Sequence, residues 1–585
     1  MNKIEELMRR DSILWFLILA FCLILFCYRL GERSLSSAQE GRAGIIARNM
    51  ITTGNYMETV IYGDETNQKP IFYYWLVALS CLCFKVSEFA IRFPSVIAAI
   101  VSVFFITMLG KQMYDRNTGF LAGFMLTVSV GFQHMARTGR IDIVLTSMIT
   151  ICLYLFYMGY AREQKGNWLL YLFYLTLGIS ILTKGPVGLA LLGPVIVLYA
   201  IVTKDYKLFW KIKPLSGSLI LFIVVTPWFF YIIQKTHGEF FRDFFMLHNI
   251  ERFLGIKGSF SAGKHRSFFF YVPKLFAVFL PWSLFLPFSI WYFYKKIQSK
   301  VHQKKIYGMW QNFSRIRKET LLLILFVSFS FLFFSCAAFK RGDYLLPIYP
   351  PLVLLVARYI VILQEKVGAF RFSLKLQRAS YSIFVLLVVC FIIFYLMLLT
   401  GIASEFARSD LFLKYFNRKD QAIALELFRQ SSKLLFLFIS IIIPGSFIVR
   451  FFSQRAILRG TALMVLVMGI AGFGYTTVEP SIDRCTSFHH FCNQIVKRVG
   501  NQKIQFYQLR CLEIKYYLNR DMDTIVSTKT LYEKINHGKL QYLIIEKDRF
   551  NHLPIDIRKK FSILEQTPDY HRKKYYFVHF KNDNG

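Results

Sequence analysis

Three polar stretches follow the first apolar run of the chain: Gln39-Glu40-Gly41-Arg42, Ile46-Ala47-Arg48-Asn49-Met50 and Gln68-Lys69-Pro70-Ile71-Phe72-Tyr73-Tyr74-Trp75. They set one carboxylate, Glu40, beside the cations Arg42, Arg48 and Lys69 at a boundary between water and lipid. Cations of this kind hold a phosphate through charge-assisted hydrogen bonds, and a carboxylate can take a proton from an attacking group. The combination suits a reaction on a lipid-linked phosphate, because a binding site alone has no obvious use for Glu40.

The elements that must position these residues are membrane spans. The 585 residues are 55% hydrophobic and 17% aromatic, and the apolar residues come in blocks of about 17–24, long enough to cross a bilayer. The expectation is an α-helical polytopic membrane protein. A net charge of +36 raises the question of nucleic acid. The Lys and Arg are scattered among short loops between spans, where they orient the chain and meet anionic headgroups, so nucleic acid is not an expected partner and membrane lipids are. Lys3, Arg9 and Arg10 ahead of the apolar stretch from Ile13 to Cys27 read as a signal anchor; the alternative is cleavage near Ser36-Ser37-Ala38. Seven of the ten cysteines lie in or beside apolar segments and read as small hydrophobes, whereas Cys485, Cys492 and Cys511 fall in a polar tail where one disulfide could form on export.

Apolar runs centre on residues 12–30, 91–110, 119–135, 141–160, 168–183, 186–203, 214–233, 269–292, 320–338, 344–363, 379–401, 432–452 and 459–476, with an ambiguous run at 71–84. If 71–84 does not cross, the cytoplasmic loops carry Lys111 and Arg116, Arg162 and Lys165, Lys204 through Lys213, Lys295 through Lys318, Lys366 through Arg378, and Arg455. That arrangement obeys the positive-inside rule; a crossing at 71–84 would reverse it. The reading is therefore about 13 transmembrane helices, an interfacial helix at 71–84, and an exported C-terminus. Residues 1–479 form the membrane domain, with a first exported loop at 31–90, and residues 480–585 a small soluble α/β domain. In the latter, alternating segments at 504–507 and 541–545 flank helix-like stretches around 511–519 and 528–537.

This topology gathers the polar clusters on one side: Glu40 to Arg48, Lys69, Arg92, Arg137 to Asp142, Lys184, His248 to Arg252, and Lys340-Arg341-Gly342-Asp343-Tyr344. Such convergence is what a membrane-surface site for a charged lipid requires. Plainer roles stand beside each functional one. Arg92 and Lys184 can snorkel at span ends. Asp142 can pair with Arg137 or Arg140, His248 can be an ordinary loop histidine, and Glu40 can cap the helix that starts there.

The order of the clusters adds a resemblance. Glu40-Gly41-Arg42 with Arg48, Lys69-Pro70-x-x-Tyr73-Tyr74-Trp75-Leu76, Ser87-Glu88-Phe89-Ala90-Ile91-Arg92-Phe93-Pro94-Ser95, Arg140-x-Asp142, Thr183-Lys184-Gly185-Pro186, His248-Asn249-Ile250-Glu251-Arg252-Phe253, Phe279-Leu280-Pro281-Trp282-Ser283 and Lys340-x-x-x-Tyr344-x-Leu346-Pro347 together resemble the bacterial lipid-carrier-dependent glycosyltransferases. These are the aminoarabinose (lipid A) transferases and their relatives in the protein O-mannosyltransferase superfamily, with the GT-C fold. The resemblance covers roughly residues 10–360.

It implies a polyprenyl-phosphate-linked sugar as donor, a lipid or glycan as acceptor, and inverting transfer at the periplasmic face of the inner membrane. By the same likeness Glu40 and Asp142 match acidic positions and are the catalytic candidates. Lys69 and Arg92 match positions near the carrier phosphate, with Arg42, Lys340 and Arg341 as further donors to it. Arg48, Arg140, Lys184 and Tyr344 complete the candidate site, and His248 sits where relatives can place a metal-associated histidine. No cofactor is certain, and a divalent metal at His248 is the one candidate. The chain departs at Gln39, where the family often has Asp, and at Gln68, where lipid A transferases often have Glu. The first leaves Glu40 or Asp142 as the base; the second weighs against a metal and against aminoarabinose as the sugar.

The leaving phosphate is ionised at neutral pH and needs cations more than a general acid. A hydroxyl acceptor needs a base, whereas a phosphate acceptor is already a nucleophile. Two other classes share features with this chain. A transporter or flippase would place charge near the bilayer midplane in repeated halves, and the span interiors here are nearly free of charge. An oligosaccharide ligase or polymerase would carry an arginine-rich exported loop, and residues 402–431 hold only a few cations.

Overall fold

The computed structural model describes residues 11–61, 69–161, 168–255, 266–298 and 318–367, short pieces between 393 and 429, and 468–580 apart from a few loop positions. Most of the apolar runs expected at 379–401, 432–452 and 459–476 lie outside the described residues.

Within these bounds the chain is helical up to residue 499. Five helices are long and apolar enough to cross a membrane: Glu88–Met113, Ile141–Tyr160, Pro214–Lys235, Lys318–Cys336 and Gly342–Glu365. Asp11–Cys27, Trp168–Lys184 and Val187–Thr203 have 17 residues each, the lower limit for a span. Phe72–Phe84 has 13 residues, about 20 Å at 1.5 Å per residue, and falls short of the hydrocarbon core. Helix starts follow local chemistry. The side chains of Ser37, Ser87 and Asp115 accept from the backbone N–H groups of Glu40, Ala90 and Thr118. Where Glu88–Met113 crosses Arg116–Val128, a Cβ on Gly119 would stand 2.5 Å from the Thr107 carbonyl oxygen, so only glycine permits the approach.

Two of the expected spans are broken. Arg116–Val128 and Val130–Ala136 meet at 68°, and Phe268–Val278 and Trp282–Lys295 at 115°. A break leaves backbone groups that lipid cannot satisfy. Here the two breaks satisfy one another: the Val130 N–H donates to the Leu280 carbonyl at 3.0 Å, and Trp282 Nε1 donates to the Met125 carbonyl at 2.6 Å. Apolar periodicity does not register this kind of pairing.

The C-terminal part is a five-stranded sheet in the order β2-β1-β3-β5-β4, with β1 Ile504–Tyr507, β2 Thr524–Ile525, β3 Tyr542–Glu546, β4 Phe561–Gln566 and β5 Tyr575–Phe580. β1 runs parallel to β2 and β3, and β5 antiparallel to β3 and β4. β1, β3 and β5 are buried along most of their length, with side chains from both faces in the core, whereas the edge strand β4 is half exposed. Ile504, Phe506, Ile544 and Phe577 pack beneath His489–Val499 and Leu512–Leu518; Tyr507, Leu543, Ile545 and Val578 belong to a second core with Leu531, Phe550 and Ile557. Cys485, Cys492 and Cys511 are free thiols, all buried, so the disulfide considered for the tail is not formed. Cys492 and Cys511 serve as small hydrophobes in the first of these cores.

Candidate active site

A cavity of about 330 Å³ lies at one end of the helical bundle. Lys69, Lys184, Asn249 and Tyr344 are its polar lining; Val187, Ile250, Leu254 and the rings of Phe253, Phe333, Phe334 and Phe339 make up most of the rest. Lys184 ends the Trp168–Lys184 helix, and its ammonium bonds the Asp142 carboxylate at 2.5 Å, at the start of the Ile141–Phe156 helix. The same ammonium stands 4.7 Å from the centre of the Tyr344 ring, so it is held between an anion and a π-face. Asp142 is 4% exposed.

Next to this pair lies a second one. Asp343 Oδ2 accepts from Arg140 Nη1 at 2.5 Å and from Arg341 Nη2 at 2.9 Å. The backbone of Arg341 is fixed by the Tyr271 hydroxyl, which donates to its carbonyl at 3.0 Å. Counting the residues bonded to the wall, the cations Lys69, Lys184, Arg140 and Arg341 outnumber the carboxylates Asp142 and Asp343 at this cavity, a set suited to holding an anion. Among the described residues no three His, Cys, Asp or Glu gather into a metal site. His248 lies in the Arg242–Glu251 segment, and its side chain is outside the described residues, as is Gln68.

A family model described as dolichyl-phosphate-mannose-protein mannosyltransferase matches residues 68–231. The undecaprenyl phosphate-alpha-4-amino-4-deoxy-L-arabinose arabinosyl transferase of Aeromonas salmonicida is 29% identical over 359 residues, 60% of this chain and 61% of that one. The crystal structure of ArnT from Cupriavidus metallidurans bound to undecaprenyl phosphate superposes with a TM-score of 0.72 at 17% identity, covering 97% of this chain and 98% of that one. The chain resembles the polyprenyl-phosphate-dependent glycosyltransferases, and its fold is theirs. The archaeal oligosaccharyltransferase AglB from Archaeoglobus fulgidus is similar at a greater distance, with a TM-score of 0.52 and 11% identity over 92% of this chain and 69% of that one. The alignment spans about three fifths of the length of the curated relatives it matches.

Within this transferase-like fold the expected site residues divide. Lys69, Lys184 and Tyr344 line the cavity, with Asp142 bonded to Lys184 and with Arg140 and Arg341 bonded through Asp343. Glu40, Arg92, Arg48 and Lys340 are not among the lining residues. Arg92, 0% exposed, is engaged as a phosphate donor cannot be: Nε bonds Glu40 at 2.8 Å, while Nη1 and Nη2 donate to the carbonyls of Leu30, Arg33 and Ser34 at 2.6–2.8 Å. Glu40, also 0% exposed, accepts from Arg92, from the Gly139 N–H, and from the Ser36 N–H and hydroxyl. Burial by itself would raise the Glu40 carboxyl, but the Arg92 guanidinium outweighs it and holds the group at about 2. Both carboxylate oxygens are taken by these bonds and the side chain is not on the cavity wall, so the geometry makes Glu40 a lock for residues 30–36.

Lys340 donates to the carbonyls of Ala337 and Arg266 at 2.5 and 3.2 Å, closing the end of the Lys318–Cys336 helix; burial lowers its pKa. Arg48 donates to the Tyr516 carbonyl and to Asn519 in the C-terminal domain, at 3.1 and 2.6 Å. Arg42 has an interaction partner but no described place on the cavity. The residues not anticipated are Asp343 and the phenylalanine wall. Asp343 sits inside the Lys340 to Tyr344 cluster and could have been found there. Phe333 and Phe334 could not, because they lie in the Lys318–Cys336 helix, where a phenylalanine facing a cavity and one facing lipid have the same signature; Phe253 and Phe339 belong to or adjoin clusters already singled out.

Proposed function

We propose that the protein is an inner-membrane glycosyltransferase that moves a sugar from a polyprenyl-phosphate carrier to a lipid A-like or other cell-envelope acceptor at the periplasmic face, with inversion at the sugar carbon. The observation that carries this reading is the cavity itself, with lysines at its polar lining and phenylalanine rings beside them. A phosphate with a long apolar tail matches both parts. The leaving phosphate is ionised and is held by Lys69 and Lys184, with Arg341 close by. Incoming phosphate competes with Asp142 for the Lys184 ammonium, and this frees the carboxylate. The acceptor oxygen attacks the sugar carbon from the face opposite the phosphate, the carbon–oxygen bond to phosphate breaks with its electrons going to the phosphate oxygen, and the acceptor proton passes to Asp142. Glu40 acts at one remove, by holding the loop and Gly139. No step is assigned to a metal.

The test is reconstitution with polyprenyl-phosphate sugars and lipid A, together with mass spectrometry of lipid A and surface glycans from cells with and without the protein. A mass gain in one acceptor and release of free carrier phosphate are expected; no change in either would overturn the proposal. Lys69→Ala is expected to weaken donor affinity or turnover about 10- to 150-fold, the equivalent of one charge-assisted hydrogen bond of about 1.5–3 kcal/mol. Unaltered kinetics in detergent would remove Lys69 from the site. For orientation, an alkaline phosphatase fused after residue 585 is expected to be active, since it matures only outside the cytoplasm; an inactive fusion with an active cytoplasmic reporter would reverse the topology.

A further inference from the structure

We propose that the C-terminal sheet domain is a working part of the catalytic site, with Tyr517 and Asp483 as positioning residues that act through residues 34–36; the proposal rests on the transferase reading above. Two independent sets of contacts meet on that short loop. From the C-terminal side, the Leu35 N–H donates to the Tyr517 hydroxyl at 2.7 Å. The Ser34 N–H and hydroxyl donate to the two carboxylate oxygens of Asp483 at 3.1 and 3.0 Å, and the Ser487 hydroxyl donates to Ser34 Oγ at 2.8 Å. From the membrane side, the Ser34 carbonyl accepts from Arg92 and the Ser36 N–H donates to Glu40.

The chain of contacts continues to the cavity. Glu40 Oε1 accepts from the Gly139 N–H at 3.1 Å, and the following residue, Arg140, pairs with Asp343. Two residues further is Asp142, with Lys184 of the cavity wall bonded to it. Movement of residues 34–36 therefore loosens Glu40, and with it the Gly139 to Asp142 segment. The domain contact is also close-packed: a Cβ on Gly41 would lie 2.8 Å from the Leu512 carbonyl carbon, so the Ala38–Thr53 helix meets the backbone of Leu512–Leu518 directly. A loop held from both sides has few conformations to lose when the reaction begins.

The experiment uses the full-length protein in detergent. In Asp483→Ala/Tyr517→Phe, hydrogen exchange at residues 34–36 is expected to speed up in the absence of any substrate, and kcat to fall about 10-fold or more, as for the loss of several hydrogen bonds. The KM for donor should change much less, since Lys69 and Lys184 are on other segments. Adding Ser34→Cys and Ser487→Cys to that background lets a disulfide replace the lost bonds. The oxidised form should regain most of the kcat and the slow exchange, and the reduced form neither. Unchanged kcat and exchange in the double variant, or a loss that the cross-link does not restore, would overturn the proposal. If the wild-type protein shows no transfer at all, the transferase reading fails on its own, while exchange at residues 34–36 still reports the clamp.

Discussion

Asp142→Asn is expected to lower transfer to a hydroxyl acceptor by about 100- to 10,000-fold, the usual contribution of a positioned general base. The carboxylate is 4% exposed, its partner is the Lys184 ammonium, and Lys184 lines the cavity. Asparagine keeps the shape and one acceptor oxygen for Lys184 but cannot take a proton. Donor binding, measured with the polyprenyl phosphate alone, should survive. If the acceptor is a phosphate, no base is needed, and the variant should retain most of its rate with that acceptor. A full rate on a hydroxyl acceptor would remove Asp142 from the chemistry. A loss of donor binding equal to the loss of rate would assign it to holding Lys184.

Glu40→Gln is expected to act mainly on stability. Removing one partner of a buried ion pair costs about 3–5 kcal/mol, because Arg92 is left charged and unpaired away from water. The melting temperature in detergent should drop, and the rate should fall with it as residues 30–36 loosen. Glu40→Gln/Arg92→Met should not recover the stability, because methionine cannot replace the donors that Arg92 gives to the carbonyls of Leu30, Arg33 and Ser34. A Glu40→Gln variant that melts like the wild type yet has lost transfer would make Glu40 the base. The pH dependence has a definite sign. The folded Glu40 value, about 2, lies below the ordinary carboxylate range, so its contribution to stability is complete above about pH 4.3 and is lost as pH falls toward 2. Between pH 5 and 8 this pair should leave the melting temperature flat.

The chain dictates its class and much of its local structure by itself. A run of apolar residues long enough for a bilayer has no cheaper state than a helix in lipid, so this feature is local and additive. The C-terminal strands were legible for the same reason. The segments expected at 504–507 and 541–545 are β1 and, one residue shifted, β3, and the helices expected near 511–519 and 528–537 are Leu512–Leu518 and Thr528–Asn536. The polar clusters that gather at the cavity, Lys69, Asp142, Lys184 and Tyr344, could be singled out because charge beside a span needs a reason.

Only the tertiary structure decided what each of those charges does. Arg92 and Glu40 are 52 positions apart, and nothing in either neighbourhood says that one consumes the other. Lys340 and Arg341 are adjacent, yet one closes a helix end and the other faces Asp343. Arg48 lies close to Glu40 in sequence and turns to a domain 468 positions away. The two broken spans complete each other's hydrogen bonds across 150 positions between Val130 and Leu280. The physical reason is common to the first three. A cation carries the same sequence signature whether it meets a carbonyl, a carboxylate or a phosphate, and the choice is set by which partner the packing of distant helices brings within about 3 Å.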